Sequence, residues 1–285
     1  MRPDTDSPRL RRHLATLCVV GLLLVAGCGG AAGPGTANAT VTDGTTTEAT
    51  AEPTVSVDSL SLAAFPPGVT AEGVSNQTQL LDAHRTALVR TPGTVRVSTN
   101  ATIGPRSFET QTTTAATVGV DRVRYEARAT GDLGNNQSRT ETLIYANATN
   151  VTQRVTADGE VQLANVRERT ELFDRALGGF ATAANPIGGM LSRGEFRVAN
   201  VTRRGDTRVF TLRADSYVES QLVAAENVTG YTATIQIAGD GGVLAASERI
   251  EDREAAAFGG YQFDYRFRAS EVSPEPFVPN TTVER

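Results

Sequence analysis

The chain has no lysine and no tryptophan, and only two cysteines and two histidines among its 285 residues. Each shortage excludes a class of chemistry. Without lysine there is no Schiff base, no Walker-type phosphate grip and no Ser–Lys dyad. Every basic side chain other than histidine is arginine, as codon bias in a GC-rich genome would give. The two cysteines are Cys18 and Cys28, so the body of the chain can form neither a disulfide nor a thiolate metal site. Long apolar runs are missing too. The uncharged apolar stretch at 14–26 falls well short of the ~20 residues that span a bilayer.

What is present begins with that stretch. Arg9, Arg11 and Arg12 precede it, and it ends in Val25-Ala26-Gly27-Cys28. A basic region, a short apolar core and small residues before a cut describe an export signal. Cysteine just after the cut reads as a lipobox, whose thiol receives a lipid. Residues 1–27 are therefore read as a lipoprotein signal peptide. Cys28 is the lipid attachment, holding the protein on the extracytoplasmic face of the cell membrane. Arg11-Arg12 permits twin-arginine as well as general export. Residues 28–64, rich in Gly and then in Thr, Ala and Glu, read as a flexible tether, and 65–285 as one folded domain. Cleavage removes four arginines and two aspartates, leaving 23 Arg against 30 acidic residues and a net charge of −7. That acidity argues against a nucleic-acid partner and against polybasic binding to anionic lipid.

Asparagine is distributed unevenly. Nine of the 12 open an Asn-x-Ser/Thr triplet: Asn38, Asn76, Asn100, Asn136, Asn147, Asn150, Asn200, Asn227 and Asn280. With Ser and Thr under a fifth of the chain, chance gives about two. These are candidate N-glycosylation sites on an exported surface. The competing source of the excess is that Thr favours strands and Asn favours turns. Strict alternation would aim Asn200 inward with Phe196 and Val198, whereas Asn100 shares an outer face with Arg96 and Ser98.

Periodicity predicts a helix over 76–90, capped by Ser75, with Leu80, Leu81, His84, Ala87 and Leu88 on one face. Alternating runs at 94–103, 106–118, 122–130, 138–146, 151–157 and 160–166 predict strands. A helical interruption follows over 171–177, with a second apolar stretch through Ile187, Met190 and Leu191. Strands resume at 195–204, 207–214, 231–238, 243–251 and 260–269, with a short helix over 217–226. In the last strand Tyr261, Phe263, Tyr265 and Phe267 alternate with Gln262, Asp264, Arg266 and Arg268, giving one buried and one wet face. About eleven strands, mostly hairpin-linked, predict an α+β domain. Its strongly curved antiparallel sheet is an unclosed half-barrel with helices covering the concave side.

The lipobox, the Thr-rich tether, Pro66-Pro67-Gly68-Val69 and Asp82-Ala83-His84-Arg85-Thr86-Ala87-Leu88 together resemble a family of haloarchaeal lipoproteins of unknown function. The acidity and all-arginine basic set agree with a salt-loving prokaryote. Separately, the order of elements resembles the LolA, LolB and LppX/LprG group of lipoprotein carriers. That resemblance implies an open, curved sheet whose mouth is plugged by helices and whose hollow takes acyl chains. It transfers no ligand-binding residue.

With the signal set aside, His84 is the one histidine left, so a Ser-His-Asp or histidine-based metal site would have to run through it. Its place one turn from Leu80 and from Leu88 reads as packing. Gly239-Asp240-Gly241-Gly242 lacks the residues of a phosphate or calcium loop and reads as a turn. No catalytic residue, cofactor or metal is expected. The better candidate is an apolar lid and cavity formed by Leu172, Phe173, Leu177, Phe180, Ile187, Met190 and Leu191 with Phe263, Tyr265 and Phe267, broken by Gly178-Gly179 and Gly188-Gly189. It would admit a lipid or other hydrophobic ligand to a monomeric domain. The alternatives are a glycosylated structural or interaction protein of the cell surface, in which the same residues fill the hollow, and a glycan hydrolase using two carboxylates.

Overall fold

The computed structural model describes residues 54–56, 60–61, 64–103, 106–133, 137–171, 173–174, 182–218, 223–252 and 260–277. Cys28, Asn38, Asn136, Leu172, Leu177, Phe180 and Asn280 lie outside the described residues.

The strands are β1 Thr54–Val55, β2 Val69–Thr70, β3 Gly73–Val74, β4 Gly93–Ile103, β5 Arg106–Ala116, β6 Val123–Gly131, β7 Arg139–Ala146, β8 Asn150–Ala157, β9 Glu160–Glu168, β10 Arg197–Arg204, β11 Thr207–Ala214, β12 Val228–Ala238, β13 Val243–Asp252 and β14 Gly260–Ala269. Twelve of them form one sheet in the order β1-β10-β11-β12-β13-β14-β4-β5-β6-β7-β8-β9, while β2 and β3 make a small separate hairpin. Each neighbouring pair is antiparallel, so β4–β9 and β10–β14 are two hairpin meanders. They are joined where the last strand meets the first long one, Tyr265 opposite Val97. With β1 and β9 at its edges the sheet is unclosed. It curves around two helices, α1 Gln77–Arg90 and α2 Ala184–Arg193.

Helix α1 contains neither Gly nor Pro and buries Leu80, His84 and Leu88 at four-residue spacing, one face of a 3.6-residue period. It stops where Thr91, ahead of Pro92, turns extended, as a residue preceding proline prefers. The N-cap is Asn76, not Ser75. Asn76 is extended and its Oδ1 accepts the Gln79 N–H at 3.0 Å, whereas Ser75 spends its hydroxyl on the Gly68 carbonyl.

Three other expectations change. The sheet begins inside the stretch read as tether, because Thr54 and Val55 pair with Thr202 and Val201 on β10. The helix expected over 217–226 is absent from the described part: Tyr217 bridges Gly194, and Ala225–Asn227 forms a single 3₁₀ turn. Gly188 and Gly189 do not interrupt the apolar segment but sit within α2. A Cβ on Gly188 would come within 3.0 Å of Leu81 Cδ1, so its absence is what lets α1 approach. Gln77 Nε2 donates to the Gly188 carbonyl there at 2.6 Å.

Asn200 is exposed. The ladder slips between Val198 and Asn200, which face Leu212 and Thr211. This bulge turns Asn200 outward and hands the inner face to the fully buried Val201.

Candidate ligand-binding site

The inner face of the sheet is built from two unlike halves, and cross-strand partners define them because residues directly opposite share a face. Across β14, β13, β12 and β11 one row runs Tyr265, Ala246, Ile235, Leu212. The next runs Phe263, Glu248, Ala233, Ala214. On this floor sit Leu80 and Leu88 of α1 and Ile187, Met190 and Leu191 of α2, all in one buried cluster with Phe210, Phe263 and Tyr265.

The other half has a floor of mostly short side chains in two of its three rows. Starting from Val97 on β4, one row crosses β5 to β9 as Thr112, Ala127, Thr142, Val155, Leu163. Beside it runs Thr110, Ala129, Thr140, Ala157. On the other side, from Val95, lie Thr114, Tyr125, Ile144, Gln153 and Asn165. Among the described residues, the cluster that α1 and α2 enter contains no side chain of β5–β9. Yet this floor is partly sheltered: Thr114, Thr142, Ala129 and Val155 are buried, and Thr110, Thr112, Ala127 and Thr140 half-buried. Burial pushes the Tyr125 phenol up to about 12, so it stays neutral and protonated at physiological pH.

Asp174 and Thr182 are each tied to the rest of the domain by hydrogen bonds. Arg169 bonds Asp174 Oδ1 at 2.6 Å and donates to the carbonyls of Val120, Asp121 and Asn147. The His84 ring ties down Thr182. Its Nε2–H donates to the Thr182 carbonyl at 2.8 Å, while Nδ1 accepts the Val243 N–H at 3.1 Å. Both ring nitrogens are therefore committed to backbone, and burial pulls the His84 pKa down to about 4. Its ring meets Tyr265 edge-on at 5.9 Å.

Of the ten lid and cavity candidates, the structure brings together Ile187, Met190, Leu191, Phe263 and Tyr265 in the core, with Phe267 packed against it half-buried. Phe173 stands apart, packed on Val123 with Ala116 and Val120 and covered by the Arg167 guanidinium at 5.7 Å. Among the candidate glycan sites, Asn76, Asn100, Asn150, Asn200 and Asn227 are exposed and Asn147 is half-buried. Asn147 Oδ1 caps its own turn by accepting the N–H groups of Thr149 and Asn150.

Two features escaped the sequence reading. The first is a buried ion pair. Glu248, 2 % exposed, takes both Nε and Nη2 of Arg193 and also the Tyr231 hydroxyl; Tyr261 lies under the same guanidinium. Burial opposes the Arg193 charge, but the hydrogen bond and charge of Glu248 outweigh it and raise its pKa. Glu248 shares parity with Ala246 and Ile250, and a charge at an apolar parity position was the available signal. The second is the Thr/Ala floor, visible as Thr110, Thr112 and Thr114 opposite Ala129, Ala127 and Tyr125. Its small, partly polar side chains do not stand out as an apolar stripe. Elsewhere, a polar cleft of about 560 Å³ opens at one end of β4, β5 and β14, beside Glu109, Arg249 and Glu251.

No family model matches the chain, and no curated protein does. Among solved structures it is similar to LprF from Mycobacterium bovis, at 11% identity over 70% of this chain and 96% of that one, TM-score 0.34. It is also similar to MucB in complex with MucA(peri), at 11% identity over 70% of this chain and 58% of that one, TM-score 0.27. A third similarity is to a DUF1329 family protein from Desulfovibrio piger, at 9% identity over 68% of this chain and 91% of that one, TM-score 0.21.

Proposed function

We propose that the chain is a lipid-anchored, extracytoplasmic binding module, monomeric and non-catalytic, that holds a hydrophobic molecule against the inner face of β5–β9. The observation that carries this reading is the floor of Thr and Ala, buried or half-buried but outside the apolar cluster filled by α1 and α2. Small side chains on a curved inner face leave volume that large ones would fill. The lipobox ending in Cys28 supports the anchor. No described helix is long and apolar enough to cross a membrane. Native mass spectrometry of the mature chain from residue 28, carrying Cys28→Ser to remove the anchor, tests the reading. A reproducible added mass that extraction identifies as a lipid supports it. A clean apoprotein mass that added lipids leave unchanged refutes it.

A glycosylated structural surface protein is the second reading. It is favoured by the bulge that turns Asn200 outward and by the exposure of Asn76, Asn100, Asn150 and Asn227. Glycopeptide mapping of the protein from its own cells decides it: several occupied sites support it, and bare asparagines throughout overturn it.

A further inference from the structure

The proposed binding floor is not uniformly apolar: threonine hydroxyls are spread over its rows, while its side-chain amides fall in one. The lane Thr112, Ala127, Thr142, Val155, Leu163 offers mainly methyl groups, with amides absent and two threonine hydroxyls among them. One step along the strands, the lane through Tyr125, Ile144, Gln153 and Asn165 ends in amides. Adjacent strands lie ~4.8 Å apart, so each lane runs roughly 19 Å across five strands, and the two lanes are roughly 7 Å apart. An extended chain can lie along the first while a polar group at its end reaches the second.

Asn165 gives that polar group its chemistry. Its Oδ1 is buried and has no hydrogen-bond partner among the described residues, although the register puts Asn165 on the inner face opposite Gln153. A buried carbonyl oxygen left unpaired costs about 1–3 kcal/mol, and native proteins carry few of them. A donor arriving with the ligand would remove that cost. A carboxylate cannot serve, because it presents only acceptors. A hydroxyl serves, and being uncharged it carries little of the desolvation penalty of an ammonium.

We propose that the ligand class is a long-chain neutral amphiphile with a free hydroxyl, whose chain lies on the Thr/Ala lane and whose hydroxyl donates to Asn165. This rests on the hydrophobic-ligand reading above, and the two are separable by experiment. Two isomers serve as probes: 1-dodecanol, and methyl undecyl ether, which has the same atoms but no donor. Titration calorimetry is run on the mature chain with Cys28→Ser, and on the same chain with Asn165→Leu or Asn165→Asp. The expected result is that the alcohol binds the unaltered floor about tenfold tighter than the ether. Asn165→Leu should erase that preference without weakening the ether, and Asn165→Asp, which keeps an acceptor, should retain it. Equal binding of the two probes to the unaltered floor overturns the hydroxyl assignment and leaves the hydrophobic site standing. So does a preference that survives Asn165→Leu. If neither probe binds, both readings fall. Should Asn165→Leu not fold, Asn165→Ala, which also removes the acceptor, takes its place with the same expected and overturning results.

Discussion

The two halves of the inner face share one sheet and one pattern of alternation, yet they are finished differently. Under α1 and α2 the floor is Tyr265, Phe263, Ile235 and Leu212, and the helices answer with Leu80, Ile187 and Met190 to make a close-packed core. Across β5–β9 the same inward positions carry Thr112, Ala127, Thr142 and Ala129. Alternation settles which side chains face inward. It does not settle whether the inside is full, because that depends on side-chain volume from both walls. One half is filled by the helices and the other is the half proposed above to take a ligand, so substitutions in the two should fail in different ways.

The largest effect is expected at the buried ion pair in the filled half. Glu248→Ala strands the Arg193 guanidinium without a counter-charge and should destabilise by about 3–5 kcal/mol in urea unfolding. Restoring apolarity on both sides with Arg193→Met and Glu248→Leu should recover most of it. A single variant within 1 kcal/mol of wild type would mean that the pair is solvated and the half less tightly filled than described.

Next comes His84, which ties the filled half to Thr182. Its folded pKa, about 4, lies below the ordinary 6.5, so on acidification the unfolded chain takes up the proton first. The stability it contributes is complete above pH 6.5 and is lost as pH falls from there toward 4, amounting to about 2 kcal/mol between pH 7.5 and pH 5. Urea unfolding at those two pH values should register the loss, and His84→Asn should flatten it. A slope that persists in the variant assigns the acid sensitivity to other groups.

The small-residue half should behave oppositely. Ala127→Leu adds three carbons to the lane. If the lane is open to ligand, stability should change by less than about 1 kcal/mol while probe binding is lost. If the floor is already closed over, overpacking should cost about 1–3 kcal/mol with no binding to lose. Measuring both quantities on one variant separates a filled half from an open one. The smallest effect belongs to the exterior. Asn200→Asp, on the exposed side of the bulge, should alter stability by no more than about 0.5 kcal/mol while removing any glycan carried there.

Much of this was legible in the chain itself. The helix of residues 77–90 and eleven of the twelve strands of the large sheet follow from periods of 3.6 and 2 with Gly and Pro between them. Those signals are local. The edge strand at Thr54–Val55 was not legible, since two residues carry no periodicity and only the open edge of β10 makes them a strand. Nor was the role of Gly188, which reads as a helix weakener until Leu81 of α1 is set against it. The lid candidates were found as apolar residues, but sequence could not separate Met190, fully buried in the core, from Phe173 in its own small cluster.

The sequence by itself determined the class of fold and the inward parity of most strands, because these depend on neighbours a few residues apart. Tertiary structure decided what those choices meant. The pairing of β14 with β4 joins the two meanders, and the return of α2 brings Arg193 to Glu248, 55 residues away. The Val198–Asn200 bulge reverses one side chain against its own alternation. Such outcomes depend on which distant surfaces meet and how much volume each brings, which no window along the chain contains.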